Sequence, residues 1–116
     1  APVAEAARRV TFSVRFSRLA RDPLLALDDY IADASSPDVA ARFIDGLVEF
    51  CCSLAIFPER GSRRDDLRPG IRVIHFHRRT TVAFAVDPGT CSVVILAIYQ
   101  AGRDYENLLR AADFPD

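Results

Sequence analysis

The sequence predicts an α+β domain in the order β-α-α-β-β-β, a helical hairpin packed on an antiparallel sheet. Three observations carry that expectation. Apolar residues alternate one by one from Val10 to Phe16, recur at three- and four-residue steps from Leu24 to Phe57, and return to strand spacing in three runs from Ile71 onward. The change of period falls in Phe57 to Arg72, where Pro58, Gly61, Pro69 and Gly70 punctuate a cluster of arginines.

The first strand is read from Val10, Phe12, Val14 and Phe16 alternating with Thr11, Ser13, Arg15 and Ser17, one face buried and one solvated. The helix that follows has two candidate starts. Ser17 offers a cap, but Pro23 would then interrupt the second turn, so Asp22 as cap with Pro23 as first helical residue is the cheaper arrangement. Leu24, Leu27, Tyr30, Ile31 and Ala34 form its apolar stripe, with Asp28, Asp29 and Asp33 turned largely to solvent. Ser36-Pro37 repeats the cap-then-proline signal and opens a longer helix. Its apolar line is Val39, Phe43, Leu47, Phe50, Leu54 and Phe57, widened by Ala40, Ile44, Val48, Cys51 and Ala55. That stripe exceeds what one sheet contact needs, so part of it is expected to face the first helix and part to await a partner.

Beyond the basic elbow the strand runs are Ile71 to His77, Thr80 to Val86 and Cys91 to Tyr99. Asp87-Pro88-Gly89-Thr90 predicts a type II turn with Gly89 at positive φ, and Arg78-Arg79 a turn that presents two cations at the sheet edge. The last run, apolar on both faces, belongs in the interior of the sheet. Tyr105 to Arg110 is long enough only for a helical cap.

At 116 residues the chain is read as a single domain over 10–112, with a loose arm over 1–9 and a tail over 113–116. The 15 cationic side chains are all Arg, and the formal net charge is −1, which argues against a protein that coats nucleic acid by bulk electrostatics. The charge is unevenly placed. Residues 1–57 hold six Arg against eight acids, 58–79 seven Arg against three, and 80–116 two Arg against five. Cys51, Cys52 and Cys91 lie in apolar stretches without metal or disulfide spacing and read as small hydrophobes of a reducing, cytoplasmic compartment. No apolar run approaches the roughly 20 residues that span a bilayer.

Candidate chemistry is sparse. His75 and His77 stand two apart on a strand and so share a face, but no third ligand has metal-site spacing, and neither a metal nor a cofactor is expected. RNA cleavage would draw on Arg72, His75, Arg78 and Arg103, with Arg79 and Tyr99 nearby in sequence, yet fifteen arginines place several on any sheet by chance. The set Arg60, Arg63, Arg64, Arg68 and Arg72 is the stronger constellation. It reads either as local pairing with Glu59, Asp65 and Asp66 or as a basic patch that docks an acidic target.

The wording along this order is specific. Val14-Arg15-Phe16-Ser17, Leu27-Asp28-Asp29-Tyr30-Ile31-Ala32, Ala41-Arg42-Phe43-Ile44, Phe57-Pro58-Glu59-Arg60-Gly61, Asp66-Leu67-Arg68-Pro69-Gly70-Ile71-Arg72 and Gly102-Arg103-Asp104-Tyr105 together resemble the ParE toxins of the ParE/RelE superfamily, from about Thr11 to Leu109. The resemblance implies a bacterial plasmid-stabilising toxin of a type II toxin–antitoxin module. It implies neutralisation by a ParD-like antitoxin, and DNA gyrase as the target, with no direct nucleic-acid contact outside a toxin–antitoxin–operator complex. An amphipathic antitoxin segment would lie on Leu24, Leu27, Tyr30 and Ile31. RelE-like relatives instead cleave ribosome-bound mRNA, and a degenerate toxin would act only as an antitoxin-binding module. Absence of Lys departs from the ribonuclease pattern; Pro23 inside the first helix and Tyr99-Gln100-Ala101 before the final Gly-Arg-Asp depart from the ParE pattern.

Overall fold

The computed structural model describes residues 11–100 and 103–112. The expected N-terminal arm, Val10 at the head of the first strand, Ala101 and Gly102 of the last turn, and the tail lie outside them. Strand β1 (Ser13–Phe16) leads into helices α1 (Arg18–Ala34) and α2 (Pro37–Cys52), a 3-10 turn (Ser53–Ala55), and strands β2 (Ser62–Arg63), β3 (Ile71–Phe76), β4 (Thr80–Asp87) and β5 (Ser92–Gln100). Helix α3 (Tyr105–Ala111) closes the described chain. The strands form one sheet in the order β1-β5-β4-β3-β2. Neighbours are antiparallel except β1 and β5, which run parallel from Ser13 opposite Ser92 to Phe16 opposite Ile95.

Two apolar layers lie on opposite faces of this sheet. On one, Ala20, Leu47, Cys51 and Leu54 of the helical hairpin and its 3-10 turn meet Val82, Phe84, Val93, Ile95 and Ile98. On the other, Leu67 of the elbow and Leu109 of α3 meet Ile71, Val73, Ala83 and Ala97. Helices thus cover both faces, and β4 is buried from Thr80 to Phe84. β5 is interior as predicted, between β1 and β4.

Helix α1 begins at Arg18 with Ser17 before it and Pro23 inside it, not at Asp22. The reason is long-range. The β4–β5 register shifts between Ala83 and Phe84, whose partners are Ala97 and Ile95, so Leu96 is an extra residue in the ladder. Ser17 anchors this bulge: its N–H donates to the Ile95 carbonyl at 2.9 Å and its hydroxyl to the Leu96 carbonyl at 2.7 Å. The early turn also places Ala20 at 0% exposure in the core, and that packing outweighs the hydrogen bond Pro23 removes. The charges of α1 oppose its dipole, with Arg18 and Arg21 near the N-terminus, Asp33 near the C-terminus, no acid in the first turn and no base in the last.

Ser36 caps α2 as predicted, accepting from the Val39 N–H at 3.1 Å with Pro37 at the first helical position. The helix stops at Cys52, earlier than its apolar period implied, and Phe57 stands 65% exposed beyond it. Two turns also differ from expectation. In the 87–91 turn the positive φ falls on Cys91 (51°) rather than Gly89, whose N–H is instead held by the Asp87 carboxylate at 3.0 Å. β3 ends at Phe76, and His77 and Arg78 both adopt positive φ (54° and 65°) to carry the chain into β4. His77 is therefore a turn residue and does not share a strand face with His75.

Candidate functional site

A groove of about 1100 Å³ runs between α1 and α3 along the end of β5. Leu19, Pro23, Ala26, Leu27 and Tyr30 come from α1, Ile98, Tyr99 and Gln100 from β5, and Leu108 and Ala111 from α3. Asp22, Arg79 and Arg103 give it a polar margin with two cations against one anion. The lining is apolar, and Leu19 and Tyr30 remain 38% and 70% exposed, so the surface is one that a partner would desolvate. Burial pushes the Tyr99 phenol above its ordinary range against the opposing pull of Arg103 and Arg68. It is a hydrogen-bond donor at neutral pH, not a base.

Of the residues expected to bind an amphipathic segment, Leu27 and Tyr30 line this groove. Leu24 turns the other way, into a cleft of about 460 Å³ on the hairpin with Arg21, Leu25 and Ile44, and Ile31 is half-buried outside both. Leu19 was missed because the helix was expected to start later, and Pro23 and Ala26, inside the expected helix, because they stand beside its apolar stripe rather than in it. Leu108 and Ala111 were missed because α3 looked too short to form a wall.

The wall is held by the elbow. Arg64 makes a two-pronged contact with Asp66 (3.0 and 2.9 Å), reaches Glu106 at 2.6 Å and approaches the Tyr105 hydroxyl at 3.4 Å. Arg68 donates to the Leu109 carbonyl at 3.3 Å and to the Ala112 carbonyl, closing the C-terminal end of α3. These bonds hold the Asp66 carboxyl below, and the Arg64 guanidinium above, their ordinary ranges. The other basic-patch arginines are likewise engaged. Arg60 donates to the Ser53 hydroxyl at 2.8 Å and sits 5.4 Å from the Phe50 ring centre, Arg72 donates to the Arg60 carbonyl at 3.2 Å, and Arg63 pairs with Asp65 at 3.1 Å. Glu106 and the α3 carbonyls, both remote in sequence, absorb charge that local acids could not. Arg63, with its side chain 68% exposed, presents the most open guanidinium among the three ion pairs of the described residues.

The nominal ribonuclease set does not converge. Ile71 and Val73 face the α3 layer and Ile74 and Phe76 pack toward the hairpin, so alternation puts His75 on the first face and Arg72 on the second. His75 bonds Thr81 at 3.1 Å and stands edge-on to the Tyr105 ring with centroids 6.0 Å apart, whereas Arg78 sits in the β3–β4 turn and Arg103 at the groove. Among the described residues no cluster of three His, Cys, Asp or Glu side chains has metal-site geometry. Cys51 is fully buried, and desolvation, with the neighbouring Cys52 second, pushes its thiol up to about 12. It is a protonated core side chain, not a nucleophile.

A small α+β domain with helices on both sheet faces and an apolar, cation-rimmed groove is built for macromolecular recognition. The sequence matches the family described as the ParE toxin of the type II toxin–antitoxin system, parDE, over residues 14–105, and the chain belongs to that family. Its fold is similar to a chain of the chromosomal ParDE toxin–antitoxin system of P. aeruginosa, with a TM-score of 0.67 and 25% identity over 78% of this chain and 97% of that one. It is also similar to a chain of the toxin–antitoxin complex RelBE2 of Mycobacterium tuberculosis, with a TM-score of 0.61 and 23% identity over 82% of this chain and 97% of that one. No curated protein matches the sequence. No helix among the described residues is long and apolar enough to cross a membrane.

Proposed function

We propose that this toxin is neutralised by a ParD-like antitoxin whose amphipathic segment lies in the α1–α3 groove, and that the freed toxin acts by binding DNA gyrase. The observation that carries the reading is the groove itself: apolar walls on two helices with Arg79 and Arg103 at the margin suit an apolar helix face flanked by acids. Binding rather than cleavage is supported by the divergence of Arg72, His75, Arg78 and Arg103. Leu27 and Tyr30 are the antitoxin contacts of first rank, Leu24 and Ile31 contribute by packing α1, and Arg63 is the basic-patch residue best placed to meet the target.

Co-expression with the small protein encoded beside it tests the first half. A stable complex is expected, and Leu27→Asp is expected to weaken it at least tenfold while the circular dichroism spectrum is unchanged. An unaltered affinity would remove the groove from the interface. For the second half, toxin released from the complex is expected to trap gyrase–DNA cleavage products; normal supercoiling in its presence would exclude gyrase.

A further inference from the structure

Helix α1 has a second face, turned away from the groove. Arg18, Arg21, Leu25, Asp28, Asp29 and Ala32 fall within one stripe roughly 100° wide at 3.6 residues per turn. Leu25 is at its centre and 67% exposed, bordered by Ile44 and Ala41 across the hairpin cleft. The stripe is charge-segregated, with its cations in the N-terminal half and its anions in the C-terminal half, against the helix dipole. No ion pair among the described residues engages Arg18, Arg21, Asp28 or Asp29.

An isolated helix gains nothing from that order of charges. A second α1 laid antiparallel across Leu25 resolves it. A two-fold axis at Leu25 reverses the direction along the helix but keeps each residue on its own flank, so Arg21 of one copy lies beside Asp28 of the other, twice over, and Arg18 comes beside Asp29. The two dipoles also run antiparallel. Asp22, on the flank nearer the groove, is opposed by Asp29 in this arrangement, but that pair is outnumbered by the attractive ones. We propose that the outer face of α1 is a self-association surface, and that its occupant is a second copy of this chain related by a two-fold axis at Leu25. One helix face with the rim of α2 makes a small interface, of the weak and reversible class. The groove opens on the other side of α1, so the proposal is independent of what binds there.

Sedimentation equilibrium of the full chain tests it. A concentration-dependent dimer is expected in about 20 mM salt, weakened about tenfold or more in about 500 mM, where screening shortens to a few ångströms. Arg21→Asp and Asp28→Arg are each expected to give monomers with an unchanged circular dichroism spectrum, and mixed one to one they are expected to restore a heterodimer, since every cross-pair is then complementary. The double variant in one chain is expected to dimerise again, which keeps the test decisive if a single variant folds poorly. A chain monomeric in low salt at millimolar concentration overturns the proposal, as does a dimer indifferent to the charge exchange. If Arg21→Asp spares self-association but weakens antitoxin binding, the face belongs to that partner and the proposal falls.

Discussion

Gly61 and Gly70 bracket the elbow at φ 73° and 80°, and their surroundings assign them different weights. A Cβ at Gly61 would lie 2.4 Å from the Val73 carbonyl oxygen and 3.0 Å from the Ile74 Cβ, whereas at Gly70 nothing lies within 4 Å. Gly70→Ala meets only the left-handed backbone cost, about 1–2 kcal/mol. Gly61→Ala adds a collision with a strand backbone that cannot yield without opening the β2–β3 ladder, so a total of about 3 kcal/mol or more is expected. Urea denaturation of the two variants checks the order; equal losses would mean that the elbow relaxes freely. Both glycines were legible as punctuation in the sequence. Their difference was not, because it depends on Val73, which reaches Gly61 only after β3 has paired with β2.

Among the elements, α3 shows most clearly how a distant segment decides a local structure. Seven residues are too few for an independent helix in water. It has one fully buried side chain, Leu109, and an Asp104 cap, but its two ends are fixed by arginines 41 and 42 residues away in sequence. Arg68→Gln is expected to cost about 1–2 kcal/mol by leaving the Leu109 and Ala112 carbonyls without their charged donor. Amide hydrogen exchange at 105–112 should rise selectively. Arg63→Gln, at an exposed ion pair, should stay within about 0.5 kcal/mol of the parent. Similar effects from both would mean the clamp contributes no more than a surface charge pair. The same logic explains what could be read along the chain. The α2 start was legible because Ser36 and Pro37 act within one turn. The α1 start was hidden because its determinants, the Leu96 bulge and the burial of Ala20, lie outside any local window. The turn after β3 was legible at Arg78-Arg79, but its left-handed backbone at His77 and Arg78 was not, since closure of β3 on β4 imposes it.

For the whole molecule, the α+β class and element order followed from the two hydrophobic periods, which survive because each element buries one continuous face. The groove was half legible. Leu27 and Tyr30 of its lining stood out in the α1 stripe, but the groove exists only because α3 is clamped on the far side. The pairing of β1 with β5, by contrast, has a consequence in time. Their contacts span 79 residues, from Phe16 and Ser17 to Ile95 and Leu96, so β1 has no sheet partner until β5 has left the ribosome. Chains arrested before Ser92 are therefore expected to be cut rapidly by protease within β1 and α1, and chains carried past Gln100 and clear of the exit tunnel to resist. Equal resistance would show that the hairpin docks without β5. The hairpin of a growing chain thus stays open until β5 emerges, an interval in which its apolar face is available to another protein.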